Sequence, residues 1–174
     1  MTPDFRIRRL TAEEALAAAP ALAAVLVDCV RGGASVSFMA DLTLADAQAF
    51  WREQTQAGDG RAILVAEDDA GIFGVVQLVP ARPPNQPHRA DVAKLLIHRR
   101  ARGWGAAKAL MLALEDDARV MGRWLLVLDT VTGGAAESLY AGLGWTRVGV
   151  IEDFALMPDG RLCATTVFSR RLKP

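Results

Sequence analysis

Residues 99–110, RRARGWGAAKAL, follow an apolar run, AKLLI, and open a helical-looking one. Two glycines, Gly103 and Gly105, stand where a strand becomes a helix, among Arg99, Arg100, Arg102 and Lys108. Glycine lets the backbone turn tightly and approach a ligand without side-chain clash. No Ser, Thr, Asp or Asn caps the helix that begins there. Its first N–H groups are therefore free, and with the helix dipole they favour an anion. Each nearby charge adds on the order of 0.3–1 kcal/mol when exposed. The stretch lacks G-K-[ST], and Lys108 stands where G-x-G-x-x-G needs its third glycine. A glycine-softened turn carrying solvated arginines is the alternative reading of this loop.

Working outward, residues 91–97 read as a strand before the loop, and residues 104–121 as a helix after it. Ala107, Leu110, Met111, Leu114, Ala118 and Met121 follow 3.6-residue spacing. Residues 124–128 form a continuous apolar strand of the kind buried on both faces. Residues 91–128 thus make a βαβ unit. Upstream, residues 5–10 alternate as a first strand, and TAEE from Thr11 is a capping box. Pro20 predicts a kink or a fresh helix start. TLAD from Thr43 opens another helix, with Leu44, Ala47 and Trp51 as its apolar stripe. Residues 61–67 and 72–79 form a hairpin around DDAG. PARPPNQP, residues 80–87, is a loop, because its prolines block helix and ladder alike. Downstream, residues 135–143 form a short helix stopped at Gly144. Residues 145–151 and 162–170 close the chain as strands around PDG. The order β, α, α, β, β, β, α, β, α, β, β predicts one α/β domain, residues 1–174, with a central mixed sheet and flanking helices.

The bulk numbers agree. At 174 residues and 52% hydrophobic, the chain suits one domain with a full core. Lys+Arg 20 balances Asp+Glu 20, which argues against a general nucleic-acid binder. Cys29 and Cys163 show neither metal-ligand spacing nor a disulfide framework. The first residues lack a signal-peptide core, and residues 15–27 are too short to span a bilayer. These features predict a soluble cytoplasmic protein with no membrane or nucleic-acid partner. A homodimer through exposed strand edges is a further expectation.

The element order and the loop together resemble the GNAT superfamily of acyl-CoA N-acetyltransferases. The superfamily's loop pattern [QR]-x-x-G-x-[GA] is matched by Arg102, Gly105 and Ala107, with apolar Ile97 five positions earlier. ESLYAGLGW, residues 137–145, is similar to its second signature, through Ala136, Tyr140, Gly144 and Trp145. Gly133 departs from the pattern, which often has asparagine seven residues before the tyrosine. RGGASVSFMADL (31–42), HRADVAKLLI (88–97), LDT (128–130) and PDGRL (158–162) resemble the tabtoxin-resistance type of GNAT enzyme. The resemblance implies acetyl-CoA as cofactor and a small-molecule amine, such as an amino-acid-like compound, toxin or antibiotic, as acceptor. It implies that Arg102, Gly103, Trp104, Gly105, Ala106, Ala107 and Lys108 hold the pyrophosphate. Leu96 and Ile97 would hold the pantetheine arm along a splayed strand, and Tyr140 would also meet the coenzyme. Ser35, Phe38 and Met39 become candidates for a substrate wall. The alternatives are a protein N-terminal or lysine acetyltransferase and a non-catalytic acyl-CoA sensor.

Acyl transfer needs a neutral amine. An amine of pKa about 10.4 is neutral in only about one molecule in 10³ at pH 7, a cost of roughly 4–5 kcal/mol. A carboxylate can bind the ammonium and accept its proton. Asp91 opens the central strand six residues before Ile97, and period-two alternation predicts that both face one way. In the superfamily a carboxylate here can be the base. Asp129 ends the next strand beside the crossover, where α/β proteins build sites. The sequence leaves the choice between Asp91 and Asp129 open. Tyr140, the only tyrosine, has a pKa suited to protonating a departing thiolate. His88, in a proline-rich loop, reads as a bystander at the rim.

Overall fold

The computed structural model describes residues 4–172. Local capping sets the first elements after strand β1 (Arg6–Arg9). The Thr11 hydroxyl accepts from the Glu14 amide at 3.2 Å, and the Glu14 carboxylate accepts from the Thr11 amide at 2.7 Å. That reciprocal pair starts α1 (Ala12–Ala17). Pro20 ends α1 and stands in the first turn of α2 (Ala19–Arg31), where its missing N–H costs nothing. Thr43 caps α3 (Leu44–Gln56). Strands β2 (Ala62–Asp68), β3 (Gly71–Pro80) and β4 (Arg89–Ile97) then run antiparallel. A single 3-10 turn, Arg99–Ala101, leads into α4 (Ala106–Val120), and β5 (Leu125–Val131) follows. Helix α5 (Ala135–Gly142) and strands β6 (Thr146–Leu156) and β7 (Leu162–Arg171) complete the chain.

The seven strands form one sheet ordered β1-β2-β3-β4-β5-β7-β6. Only β4 and β5, the strands joined through α4, are parallel. This is the predicted mixed α/β sheet with a central βαβ unit. Helices cover both faces. Leu22, Leu26 and Trp51 from α2 and α3 pack on Val65, Val75 and Leu96. On the opposite face Leu110, Met111 and Leu114 of α4 pack with Ala90, Val92, Leu126, Leu128 and Tyr140. Those three α4 side chains are completely buried, at about 1.5–3 kcal/mol each. They fix the helix and hence the amides at its start. Gly74 permits the close fit, because a Cβ there would lie 2.8 Å from Ile97 Cδ1.

One irregularity shapes the centre. Val75 pairs with Leu96 but Gln77 pairs with Ala93, so β4 carries an extra residue at Lys94–Leu95. Lys94 adopts φ +54, a left-handed conformation that a bulge can demand. The bulge overturns the alternation expected between Asp91 and Ile97. Ile97 packs with Ala90 and Val92 on the α4 side, whereas Asp91 alternates with those two and points to the α2 side. Three further expectations change. Residues 124–128 are sealed on one face only, since Leu126 and Leu128 are buried while Leu125 and Val127, on the other face, are partly exposed. Leu44 is exposed beside fully buried Ala47 and Trp51. Strand β6 runs on to Leu156 rather than stopping at Ile151.

Candidate active site

The start of α4 is an amide cradle. Gly103 and Gly105 both adopt left-handed φ, +81 and +82, and Gly105 is the N-cap with no side-chain cap bond. Among the described residues, the N–H groups of Gly103, Gly105, Ala106, Ala107 and Lys108 donate to no acceptor. A Cβ built on either glycine would meet nothing within 4 Å, so the protein leaves this approach open. The surrounding charges divide. Arg99 pairs with Asp28 at 2.9 Å and Arg100 with Asp68 at 2.7 Å, so both brace the loop. Arg102 and Lys108 are exposed, and each is without an ion pair among the described residues. Trp104 packs edge-on against Phe73, with ring centroids 5.5 Å apart, and supports the loop from inside rather than standing out over a ligand. Five aligned donors with two free cations suit a phosphate.

Beside this cradle the sheet opens. Strands β4 and β5 pair only at Arg89–Leu125, Ala90–Leu126 and Asp91–Val127. Beyond Asp91, β4 pairs with β3 alone, and its other edge, which includes Leu96 and Ile97, faces a slot. An extended ligand can add to such an edge as a further strand does. On the α2 side a loop, residues 32–43, crosses toward the β6–β7 hairpin. It is held by the Ser35 hydroxyl donating to the Leu156 carbonyl at 2.7 Å and by the Ala40 amide donating to the Pro158 carbonyl at 3.2 Å. Phe38 packs edge-on against Phe50 at 5.1 Å, and Met39 is exposed. Of the expected wall residues, Phe38 stands beside Lys94, while Ser35 is engaged with β6.

The two aspartates differ in their surroundings. The Asp91 carboxylate accepts from Arg89 at 2.6 Å and sits at the closed end, where the strands still pair. Asp129 lies two residues past the last β5 pairing position, roughly 7 Å along the strand. Its carboxylate accepts from the Thr165 hydroxyl at 2.7 Å and has no cation at ion-pair distance among the described residues. Tyr140, on α5, comes near Asp129 from the other side of the sheet. Burial first, and then the Asp129 charge, push its phenol up to about 12. Among the described residues the hydroxyl has no hydrogen-bond partner, and it is not among the sealed polar atoms. Lys94 escaped the sequence reading. Its ammonium donates to Ser37 Oγ at 3.2 Å, and burial lowers its pKa against a raising effect of Asp129. A lone lysine inside VAKLLI was the available signal. Thr165 had none. His88 stacks on Trp124 at 4.5 Å, at the β4 end away from the cradle.

A family model for the acetyltransferase (GNAT) domain matches residues 59–147, half of the chain, including the cradle, both aspartates and Tyr140. The chain belongs to the GNAT acetyltransferase family. Curated relatives include N-acetyltransferase 8F1 of Rattus norvegicus, 33% identical over 87 residues, 49% of this chain and 39% of the relative. N-acetyltransferase family 8 member 2 of the same organism is 35% identical over 89 residues, 49% of this chain and 38% of the relative. The match thus spans about two-fifths of those relatives. Ribosomal-protein-alanine N-acetyltransferase from Brucella melitensis superposes with TM-score 0.78 at 25% identity, covering 96% of this chain and 99% of that one. A GNAT superfamily phosphinothricin acetyltransferase from Sinorhizobium meliloti, solved with acetyl-CoA, gives TM-score 0.80 at 20% identity. It covers 99% of this chain and 89% of that one. The described residues of the chain therefore have the GNAT fold. Among its described residues no helix is long and apolar enough to cross a membrane.

Proposed function

We propose that residues 1–174 act as one acetyl-CoA-dependent N-acetyltransferase on the primary amine of a small, amino-acid-like molecule. The observation that carries this is the slot through the sheet, with free amides and Tyr140 on one side and Asp129 on the other. The cradle fits coenzyme A: Gly103 and Gly105–Lys108 offer amides to the pyrophosphate, with Arg102 and Lys108 adding charge, and Leu96 and Ile97 offer backbone to the pantetheine arm. Acetyl-CoA supplies an activated acetyl thioester. Asp129 binds the acceptor's ammonium and takes its proton, which offsets the cost of making a free amine. Asp91, neutralised by Arg89, shapes the closed end of the slot. Tyr140 keeps its proton at the slot for a leaving thiolate.

A small acceptor suits the bridged roof formed by residues 32–43. The stretches that resemble the tabtoxin-resistance type support an acceptor of that kind, and 31–42 and 158–162 indeed meet through Ala40 and Pro158. A second reading, acetylation of a protein N-terminus, is favoured by the Brucella melitensis neighbour. Thiol release from acetyl-CoA against a panel of amines, amino acids, amine-bearing antibiotics and N-terminal peptides separates the two. Turnover on amino-acid-like amines supports the first reading, and turnover on peptides alone replaces it with the second.

Tyr140→Phe lowers kcat by roughly 10–100-fold and leaves the acetyl-CoA Kd within about twofold. Because the phenol stays protonated until about pH 12, wild-type kcat shows no alkaline loss from this group between pH 7 and 10. Full activity in the phenylalanine variant would give the proton to water instead.

The acetyltransferase also forms a homodimer across β6 in this reading. That edge strand exposes Val148, Ile151 and Phe154. Light scattering should give twice the chain mass, and Phe154→Glu should give the single mass. A wild-type monomer removes the dimer.

A further inference from the structure

A cation in a protein interior normally has a carboxylate beside it, because an unpaired charge removed from water is unfavourable. Lys94 breaks that rule inside the slot. Its side chain is half-buried, and its ammonium lies 5.9 Å from the Phe38 ring centre and 5.7 Å from that of Phe50. Among the described residues its one hydrogen-bond partner is the Ser37 hydroxyl. Among the described residues no carboxylate is within ion-pair distance of it. The nearest candidates are accounted for: Asp91, on the same side of the sheet, pairs with Arg89, and Asp129 accepts from Thr165. Lys94 and Asp129 lie on neighbouring strands, three and two residues past the last β4–β5 pair, Asp91–Val127, and the Asp129 charge acts on Lys94 through space.

The backbone is shaped to produce this. Lys94 and Ser37 are two of the three described non-glycine residues with positive φ, at +54 and +78, and the Lys94 ammonium donates to the Ser37 hydroxyl. Such conformations persist where the surroundings impose them, commonly at ligand sites. Without the bulge, β4 would alternate regularly and Lys94 would fall on the α4 side, in line with Ala90 and Val92. With it, the ammonium is aimed at the acceptor side.

A site with a carboxylate and an ammonium held apart is the complement of a zwitterion. We infer that Lys94 binds the acceptor's carboxylate while Asp129 receives its amine, so the acceptor is a free amino acid. This rests on the small-amine reading above and narrows it. A peptide N-terminus has an amide where the carboxylate should be, and a polyamine would place a cation against Lys94. Burial without a paired anion lowers the Lys94 pKa, and a bound carboxylate would restore it, which favours the charged complex.

The test pairs each of the common amino acids with its carboxamide and its decarboxylated amine. Thiol release from acetyl-CoA gives kcat/KM, and calorimetry gives the acceptor Kd. For its best amino acid, the wild type should prefer the acid over the carboxamide by roughly 10–100-fold. Lys94→Met should bring that ratio close to one, mainly through KM, and Lys94→Arg should recover part of it. Circular dichroism and acetyl-CoA affinity report whether each variant is folded. The wild-type ratio stands as a test even where a variant is not. Equal use of acid, carboxamide and amine by the wild type overturns the inference and leaves the small-amine reading intact. An acid preference that survives in Lys94→Met overturns the assignment to Lys94. Turnover of N-terminal peptides with none of the small amines overturns both.

Discussion

Gly105→Val abolishes acetyl-CoA binding while the fold survives. Gly105 sits at φ +82 as the N-cap of α4, with space around its Cα. The valine's Cβ therefore meets nothing within 4 Å, and its cost is conformational. A β-branched residue in the left-handed region is disfavoured by roughly 1–2 kcal/mol. The loop relieves this by moving, which turns the amides of Ala106, Ala107 and Lys108 away from their common focus. The added isopropyl group also fills the open approach to the cradle. Calorimetry should show the acetyl-CoA Kd rising by more than about 100-fold, in keeping with the loss of several hydrogen bonds to a charged group. The melting temperature should fall by only about 2–8 °C, since α4 keeps its buried Leu110, Met111 and Leu114. An unchanged Kd would remove the cradle from coenzyme binding.

Asp129→Asn lowers kcat/KM by roughly 10²–10³-fold at pH 7. Asparagine keeps an oxygen for the Thr165 hydroxyl, so the change removes charge and basicity with little loss of shape. The pH dependence carries the sign of the effect. Without a base, only amine that is already neutral reacts, and that fraction grows about tenfold per pH unit below the amine pKa. The deficit of the variant should therefore shrink as pH rises toward 10. Asp91→Asn should cost less, about tenfold or under, because Asp91 is already neutralised by Arg89 at 2.6 Å. A larger loss in Asp91→Asn, with activity retained in Asp129→Asn, would exchange the two roles.

The contrast between these aspartates shows how far the sequence could be read. Both stood out as acids at strand ends, and the spacing of RGWGAA and ESLYAGLGW pointed to the fold and to Tyr140. Ranking the acids needed the divergence of β4 from β5, which is a property of the assembled sheet. Arg89, two residues from Asp91 on the same strand face, was a local clue to that pairing. The bulge was not legible, since AKLLI alternates no worse than an ordinary strand. Missing it sent Asp91 and Ile97 to one face and left Lys94 unnoticed. The partners of the loop arginines were not legible for a similar reason. Arg99 and Arg100 are held by Asp28 and Asp68, 71 and 32 residues away, and no local pattern announces such partners. Elements governed by neighbouring residues fared better: the Thr11 box, the helix restart at Pro20 and the hairpin around DDAG all formed as their spacing implied.

The central claim is that the unbonded amides at the start of α4 hold the coenzyme. Two-dimensional 15N–1H NMR of the labelled protein, titrated with acetyl-CoA, observes those amides directly. The account predicts large downfield shifts at Gly103, Gly105, Ala106, Ala107 and Lys108, all following one binding curve. Binding that moves other amides and leaves these five in place would contradict it.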